Sequence, residues 1–251
     1  MKKLTRRKFI VTASAGSVAA VAAGSVPFSD ITFISSSSDK LAILGGTPAA
    51  AAKVWPKWPY VDEKVIQEIV DTARRGIWCR IDSSDNKVAR FEKEFAGLMG
   101  IKSSVATGSG TQSLNTCVEA LGVGPGDEVI TSPYTDPGTI ASILVSRALP
   151  VLADLDPESF QIDPDDAERR ITRGTKVLMP VHMMGQPCNM ERFMELAKKY
   201  NLKVIEDSAQ AHFAEYQGKK AGLIGDVGCF SFQTSKVLSC GEGGGIVSNN
   251  E

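Results

Sequence analysis

Apolar residues in two early segments, 61–73 and 88–99, recur with the spacing of amphipathic helices. In each segment they fall on one helical face while charged residues occupy the other. The apolar positions are Val65, Ile66, Ile69 and Val70 in the first segment, and Phe91, Phe95, Leu98 and Met99 in the second.

Further along the chain, short apolar runs alternate with stretches of helical length. Alternation of this kind predicts an α/β fold whose mostly parallel sheet is covered by helices on both faces. Ligands of such sheets bind at the carboxyl ends of the strands. The predicted strands are 105–106, 128–131, 150–153, 176–179 and 203–205, and the predicted helices between them are 112–121, 140–148, 164–171 and 190–200.

The composition is that of an ordinary globular protein. Its 251 residues are 43% hydrophobic and 23% charged, and the formal net charge of -1 gives no indication of a nucleic-acid partner. The cysteines form no CxxC pair and lie at no metal-ligand spacing from a histidine, so no metal site is predicted and all five are expected to be buried thiols. They are Cys79, Cys117, Cys188, Cys229 and Cys240.

Residues 1–28 differ from the rest of the chain. Five basic residues within Met1–Lys8, including the pair Arg6 and Arg7, precede a weakly apolar, alanine-rich run, as in a twin-arginine export signal. Residues 29–40 are expected to be a linker, and residues 41–251 the folded domain. Export is the main expectation for localisation, and an N-terminal anchor or a cytoplasmic location remains open.

Three segments that follow predicted strands carry candidate chemistry. Residues 106–111, ATGSGT, suit a phosphate at a helix amino terminus, although a simple helix cap without a ligand is the favoured explanation of this segment taken alone. Asp207 ends a strand, where it could cap a turn or face a cationic ring nitrogen. Lys236 follows an aromatic run, and a lysine can form a Schiff base with an aldehyde, which an arginine cannot. Together these groups match the requirements of pyridoxal 5'-phosphate.

Seven motifs in order make the sequence similar to the DegT/StrS-type sugar aminotransferases, from about Leu41 to its last residue. They are SGT, GPGDEVI, DLDPESFQIDP, VHMMGQP, EDSAQAH, FSFQTSK and GEGG. The segments Leu44–Pro48 and Trp55–Pro59 further resemble the branch of cyclitol aminotransferases and 3-amino-5-hydroxybenzoate synthases. The resemblance implies the large domain of the aspartate aminotransferase fold (fold type I) and pyridoxal 5'-phosphate as cofactor.

The resemblance also implies roles for individual residues. Lys236 would bind the cofactor aldehyde and act as the catalytic base, and Asp207 would face the ring nitrogen. Gln210 would lie beside the ring hydroxyl. The phosphate would be held by Gly110, Thr111 and Ser231.

Two positions depart from the family pattern: Asp136 stands where an aromatic residue usually stacks on the ring, and Phe213 where glycine is common. A related dehydratase group has histidine in place of Lys236, which argues against that activity. The expected activity is therefore transfer of an amino group from glutamate or glutamine to a keto-sugar or keto-cyclitol. The alternative is a cofactor-binding or vestigial protein without turnover.

Family members are homodimers with shared active sites and continue into a smaller C-terminal domain. A homodimer is therefore expected, and the sequence is expected to be a fragment that lacks this small domain.

Overall fold

The computed structural model describes residues 41–81 and 83–249, so the predicted signal segment and linker lie outside the described residues. The chain divides into two compact units, Met1–Pro56 and Lys57–Glu251. The described part of the first unit contains a short 3-10 helix, Ala42–Leu44, and the ammonium of Lys53 lies 5.7 Å from the ring centroid of Trp55.

The second unit is built on a seven-stranded sheet with strand order β1-β9-β8-β5-β4-β2-β3. Only β9 runs antiparallel to its neighbours, β1 and β8, within this sheet. A separate two-stranded hairpin pairs β6 with β7. The strands are β1 (Ser104–Thr107), β2 (Glu128–Thr131), β3 (Leu149–Leu152), β4 (Thr175–Met179), β5 (Lys203–Asp207), β6 (Glu215–Tyr216), β7 (Lys219–Lys220), β8 (Val227–Ser231) and β9 (Gly244–Val247).

Each α-helix of the second unit begins at an aspartate, asparagine or serine whose side chain accepts a hydrogen bond from a first-turn N–H. A short 3-10 helix, Met183–Gly185, lies before the last of them. The α-helices are α1 (Glu63–Arg75), α2 (Lys87–Met99), α3 (Gly110–Ala120), α4 (Pro137–Val145), α5 (Pro164–Arg169) and α6 (Met190–Tyr200).

Alternate strand residues build a core on each face of the sheet, because successive side chains point in opposite directions. Val129 and Val177 pack with residues of α3 and α4 on one face. Ile130 and Leu178 pack with Phe193 and other residues of α5 and α6 on the opposite face. The predicted fold, a mostly parallel sheet between two helical layers, is confirmed.

The structure corrects or extends several expectations. Cys117, Cys188 and Cys229 are buried as predicted, but the prediction is wrong for Cys79 and Cys240, which lie on exposed loops. The sequence pattern also gave no indication of the β6–β7 hairpin, whose strands have two residues each. Within the described ranges, none of the helices combines the length and apolar character needed to cross a bilayer.

Candidate active site

The amino terminus of α3 forms one wall of the site. Ser109 caps the helix by accepting the N–H of Gln112 at 3.1 Å, and the first N–H groups, including those of Gly110 and Thr111, have no acceptor within the helix. Strand β8 approaches so closely that a Cβ on Gly110 would lie 2.7 Å from Cβ of Ser231. Only glycine permits this approach, which brings free N–H groups and the Ser231 side chain together as an anion site.

The carboxylate of Asp207 lies at the carboxyl end of β5, with the residue 4% exposed. Its Oδ2 accepts a 2.7 Å hydrogen bond from the hydroxyl of Thr139, and its Oδ1 accepts the N–H of Ala209 at 3.2 Å. Each oxygen keeps acceptor capacity, because a carboxylate oxygen can take more than one donor. The group is therefore held by the protein and still able to receive a further donor.

Lys236 lies in the turn that follows β8. Its N–H donates to the carbonyl of Gln233 at 2.8 Å, and the indole of Trp58 donates to the carbonyl of Thr234 at 2.9 Å. The Lys236 residue is half-buried. The loop is thus fixed at several points, and it presents an amine to the same space as Asp207.

These groups line one cavity of about 320 Å³, within the size range of small-molecule sites. Five of the six predicted site residues lie around it: Gly110, Thr111, Asp207, Ser231 and Lys236. The structure adds lining residues that the sequence interpretation did not assign: Ser109, Leu114, Gly138, Thr139, Ala209, Gln233, Ser235 and Glu242.

Gln210, the sixth predicted residue, lines an adjoining recess that it shares with Lys236 and Met184. Its side-chain carbonyl accepts the N–H of Met184 at 2.9 Å, and its amide nitrogen lies 3.7 Å from the sulfur of Met183. Gln210 therefore buttresses the Met183–Gly185 turn beside the lysine. Its predicted role at a ring hydroxyl stays a prediction.

Burial raises the pKa of the Asp207 carboxyl, and this effect outweighs those of its neighbours. The Thr139 hydroxyl, the Ala209 N–H and electrostatic interactions with His182 and Lys236 act in the opposite direction. Desolvation penalises an unpaired carboxylate, and a cation placed against it restores the ionised form. The electrostatics thus favour a cationic ligand group at Asp207.

The two departures from the family pattern have distinct structural settings. Asp136 caps α4, its Oδ1 accepting the N–H of Gly138 at 2.8 Å, and it lines the cavity. Phe213 has a φ of 60°, in the left-handed region that favours glycine, which accounts for glycine being common there. Its ring lies 6.3 Å from that of Phe95, an edge contact that the bulky side chain supplies.

Comparison with known proteins decides the family. Residues 59–251 match the model of the DegT/DnrJ/EryC1/StrS aminotransferase family. The chain belongs to this family. The resemblance predicted from the seven motifs is therefore confirmed.

Among curated relatives, the L-glutamine:2-deoxy-scyllo-inosose aminotransferase of Streptomyces kanamyceticus is 38% identical over 217 residues, which cover 84% of this chain and 50% of that protein. Among solved structures, 3-amino-5-hydroxybenzoic acid synthase superposes with a TM-score of 0.75 at 32% identity, covering 78% of this chain and 51% of that one. Protein Spr1654 of Streptococcus pneumoniae, in its PLP-form, gives a TM-score of 0.71 at 29% identity, covering 79% and 53%.

These relatives include both groups of the predicted branch, a cyclitol aminotransferase and 3-amino-5-hydroxybenzoic acid synthase. The chain spans about half the length of the curated relatives that it matches. The matched residues 59–251 of this chain carry the seven-stranded sheet and the cavity around Lys236.

Proposed function

We propose that the protein is a pyridoxal 5'-phosphate-dependent aminotransferase that moves an amino group from glutamine or glutamate to a keto-cyclitol or keto-sugar. The observation that carries the proposal is the convergence of Lys236, Asp207 and the α3 amino terminus on one cavity. These three features come from distant parts of the chain. Family membership and the cyclitol aminotransferase among its relatives support the choice of reaction and acceptor.

The residues around the cavity fit the cofactor group by group. The first N–H groups of α3, with Thr111 and Ser231, would hold the phosphate. Asp207, whose buried carboxylate lacks a cationic partner of its own at hydrogen-bonding distance in the described structure, would face the ring nitrogen. Lys236 would bind the aldehyde carbon.

When bound, the cofactor supplies an electron-accepting ring that makes the proton on the donor's amine-bearing carbon removable. The negative charge of Asp207 would favour a protonated ring nitrogen. The amine of Lys236, which lines the cavity, would hold and move the proton during amino transfer.

The covalent role of Lys236 can be tested directly. Protein incubated with pyridoxal phosphate is reduced with borohydride, digested and mapped by mass spectrometry, and the label is expected on Lys236. Lys236→Ala should lose both the label and the visible absorbance band of the bound cofactor. Lys220→Ala, which removes a partly buried lysine of β7 outside the cavity, serves as a control that keeps both. A label on another lysine would overturn the assignment.

Turnover distinguishes the aminotransferase from a cofactor-binding protein without catalysis. Addition of glutamine to the loaded protein should convert the bound cofactor to its amine form, and a keto-cyclitol should reverse this change. Conversion by neither glutamine nor glutamate, in protein labelled at Lys236, would favour the non-catalytic alternative.

We further propose export through the signal-like residues 1–28 and a homodimeric assembly. The paired Arg6 and Arg7 support export, because the twin-arginine route carries folded proteins and the site forms only after distant segments meet. Replacing both arginines with lysine should retain the protein in the cytoplasm, and a native protein found there with residues 1–28 attached would refute export. Sedimentation of the purified protein tests the dimer.

A further inference from the structure

Thr139, in the first turn of α4, makes a buried contact with Asp207, 68 residues away in sequence. Its hydroxyl lies 2.7 Å from Oδ2 of Asp207, and the two residues are 1% and 4% exposed. An ionised carboxylate can only accept, so the single hydroxyl proton of Thr139 points to Asp207. With Thr139 as donor, this hydrogen bond stabilises the ionised form of the carboxylate.

A second threonine orients the first. The hydroxyl of Thr135 lies 2.7 Å from that of Thr139. Because Thr139 donates its single hydroxyl hydrogen to Asp207, it can only accept from Thr135, and Thr135 is the donor in this pair. The result is a directed chain from Thr135 through Thr139 to Asp207, in which each bond strengthens the next.

The turn that carries Thr139 is rigidly placed. Pro137 occupies the first helical position, where its fixed φ suits the helix, and the N–H of Thr139 donates to the carbonyl of Asp136 at 3.0 Å. Gly138 packs against α3 so closely that a Cβ would lie 2.3 Å from the hydroxyl oxygen of Thr111. The fold therefore fixes the Thr139 hydroxyl with respect to both Asp207 and the anion site.

We propose that Thr139 is a positioning residue that keeps the Asp207 carboxylate ionised and aimed at the cavity for a cationic ring nitrogen, with Thr135 holding the Thr139 hydroxyl in place. The inference rests on the proposed cofactor for the identity of that cation. It assigns a function to the segment Thr135–Thr139, TDPGT, which the motif comparison left without one. If Thr139 had only a structural role, its function would be limited to forming the first turn of α4.

The balance at Asp207 shows what the hydroxyl must achieve. Burial favours the protonated carboxyl, and the donors that oppose it are Thr139, which has the largest opposing effect, and the N–H of Ala209. The titratable groups that act on it are His182, from the segment after β4, and Lys236, from the turn after β8. Removing the hydroxyl leaves the buried carboxylate with the Ala209 N–H as its remaining donor in the described structure.

Two variants of the full chain separate positioning from packing. Thr139→Val keeps the shape and removes the hydroxyl, whereas Thr139→Ser keeps the hydroxyl. In protein without cofactor, carbon-13 NMR of labelled aspartate, assigned with Asp207→Asn, should show that Thr139→Val raises the pKa of Asp207 by about 1 or more and that Thr139→Ser restores it. The affinity for pyridoxal phosphate should fall about tenfold in Thr139→Val and recover in Thr139→Ser.

An unchanged pKa of Asp207 in a folded Thr139→Val protein would overturn the proposal. If that variant does not fold, the test uses Thr135→Val. A smaller rise in the pKa of Asp207 supports the hydrogen-bonded series from Thr135 through Thr139 to Asp207, and an unchanged pKa refutes it. Failure of the proposed function is distinguishable, because it appears as wild-type protein that binds no pyridoxal phosphate at Lys236. The pKa comparison does not depend on that binding.

Discussion

Glu206 and Asp207 are neighbouring carboxylates on β5 that face opposite sides of the sheet. They differ in how many hydrogen-bond donors the protein supplies to them. Both residues are buried, at 0% and 4% exposure. Four hydrogen-bond donors surround the carboxylate of Glu206. The carboxylate of Asp207 has two donors and faces the cavity.

The Glu206 carboxylate is fully used by the fold. Oε1 accepts the N–H groups of Ile224 and Gly225, both at 2.6 Å, and Oε2 accepts the N–H of Gly222 at 2.8 Å and Nε2 of His182 at 2.9 Å. Nδ1 of His182 accepts the N–H of Cys188 at 3.1 Å, so this ring is satisfied at both nitrogens. The cluster ties the loop before β8 to the segment after β4.

The number of hydrogen-bond donors around each carboxylate distinguishes a buried carboxylate with a structural role from one with a functional role in this protein. A buried carboxylate surrounded by four donors has little capacity for a ligand, and its removal is expected to affect stability. A buried carboxylate with spare acceptor capacity at a cavity is costly to the fold unless a ligand supplies the missing partner. Three variants can break or sharpen this contrast.

The largest effect is expected from Asp207→Asn. In the proposed aminotransferase, the neutral amide would no longer favour a protonated ring nitrogen, so conversion of the cofactor by glutamine in a single turnover should slow by about 10²–10³-fold. Unfolding of the cofactor-free variant should change by less than about 1 kcal/mol, since an unfavourable buried charge is removed. A near wild-type rate, or a large loss of stability, would place Asp207 with Glu206 as a structural group.

The next largest effect is expected from Glu206→Gln. The amide replaces one acceptor oxygen with a donor that faces existing N–H groups, so the cofactor-free protein should lose about 3 kcal/mol of unfolding free energy. For a domain of this size the melting temperature would fall by roughly 6–12 °C. Calorimetry on cofactor-free Glu206→Gln and Asp207→Asn compares their unfolding free energies directly. Equal losses of stability in the two variants would contradict the distinction between a structural Glu206 and a functional Asp207.

Much of this contrast could be predicted from the sequence, and part of it could not. Periodicity predicted the helices around α2 and α6, and β2 and β5, because each buries a regular apolar pattern. The motifs placed Asp207 and Lys236 in the site. The role of Thr139 was not predictable, because it depends on a contact across 68 residues that carries no local signal. For the same reason, the sequence Glu206-Asp207-Ser208 does not indicate which of the two carboxylates accepts the N–H groups of the loop before β8.

The effect expected to be smallest at neutral pH concerns two buried histidines, which repeat the contrast. His182 is bonded at both nitrogens, whereas neither ring nitrogen of His212 makes a well-formed hydrogen bond within the described structure, although the backbone of Ser231 is close. Burial, opposed in part by Ser231 and assisted by the charge of Lys236, lowers the pKa of His212 to about 4.

Between its ordinary pKa of 6.5 and about 4, the unfolded chain binds a proton at His212 that the folded protein does not. Folding stability from this group is therefore present above pH 6.5, falls as the pH drops through this window, and levels off below it. The loss should reach up to about 3 kcal/mol. His212→Phe, which can pack between Phe230 and Phe232, should remove this slope, so that denaturant unfolding of wild type and variant diverges as the pH falls from 7 to 4. A constant difference between the two proteins over that range would show that His212 is protonated or hydrogen-bonded in the folded state.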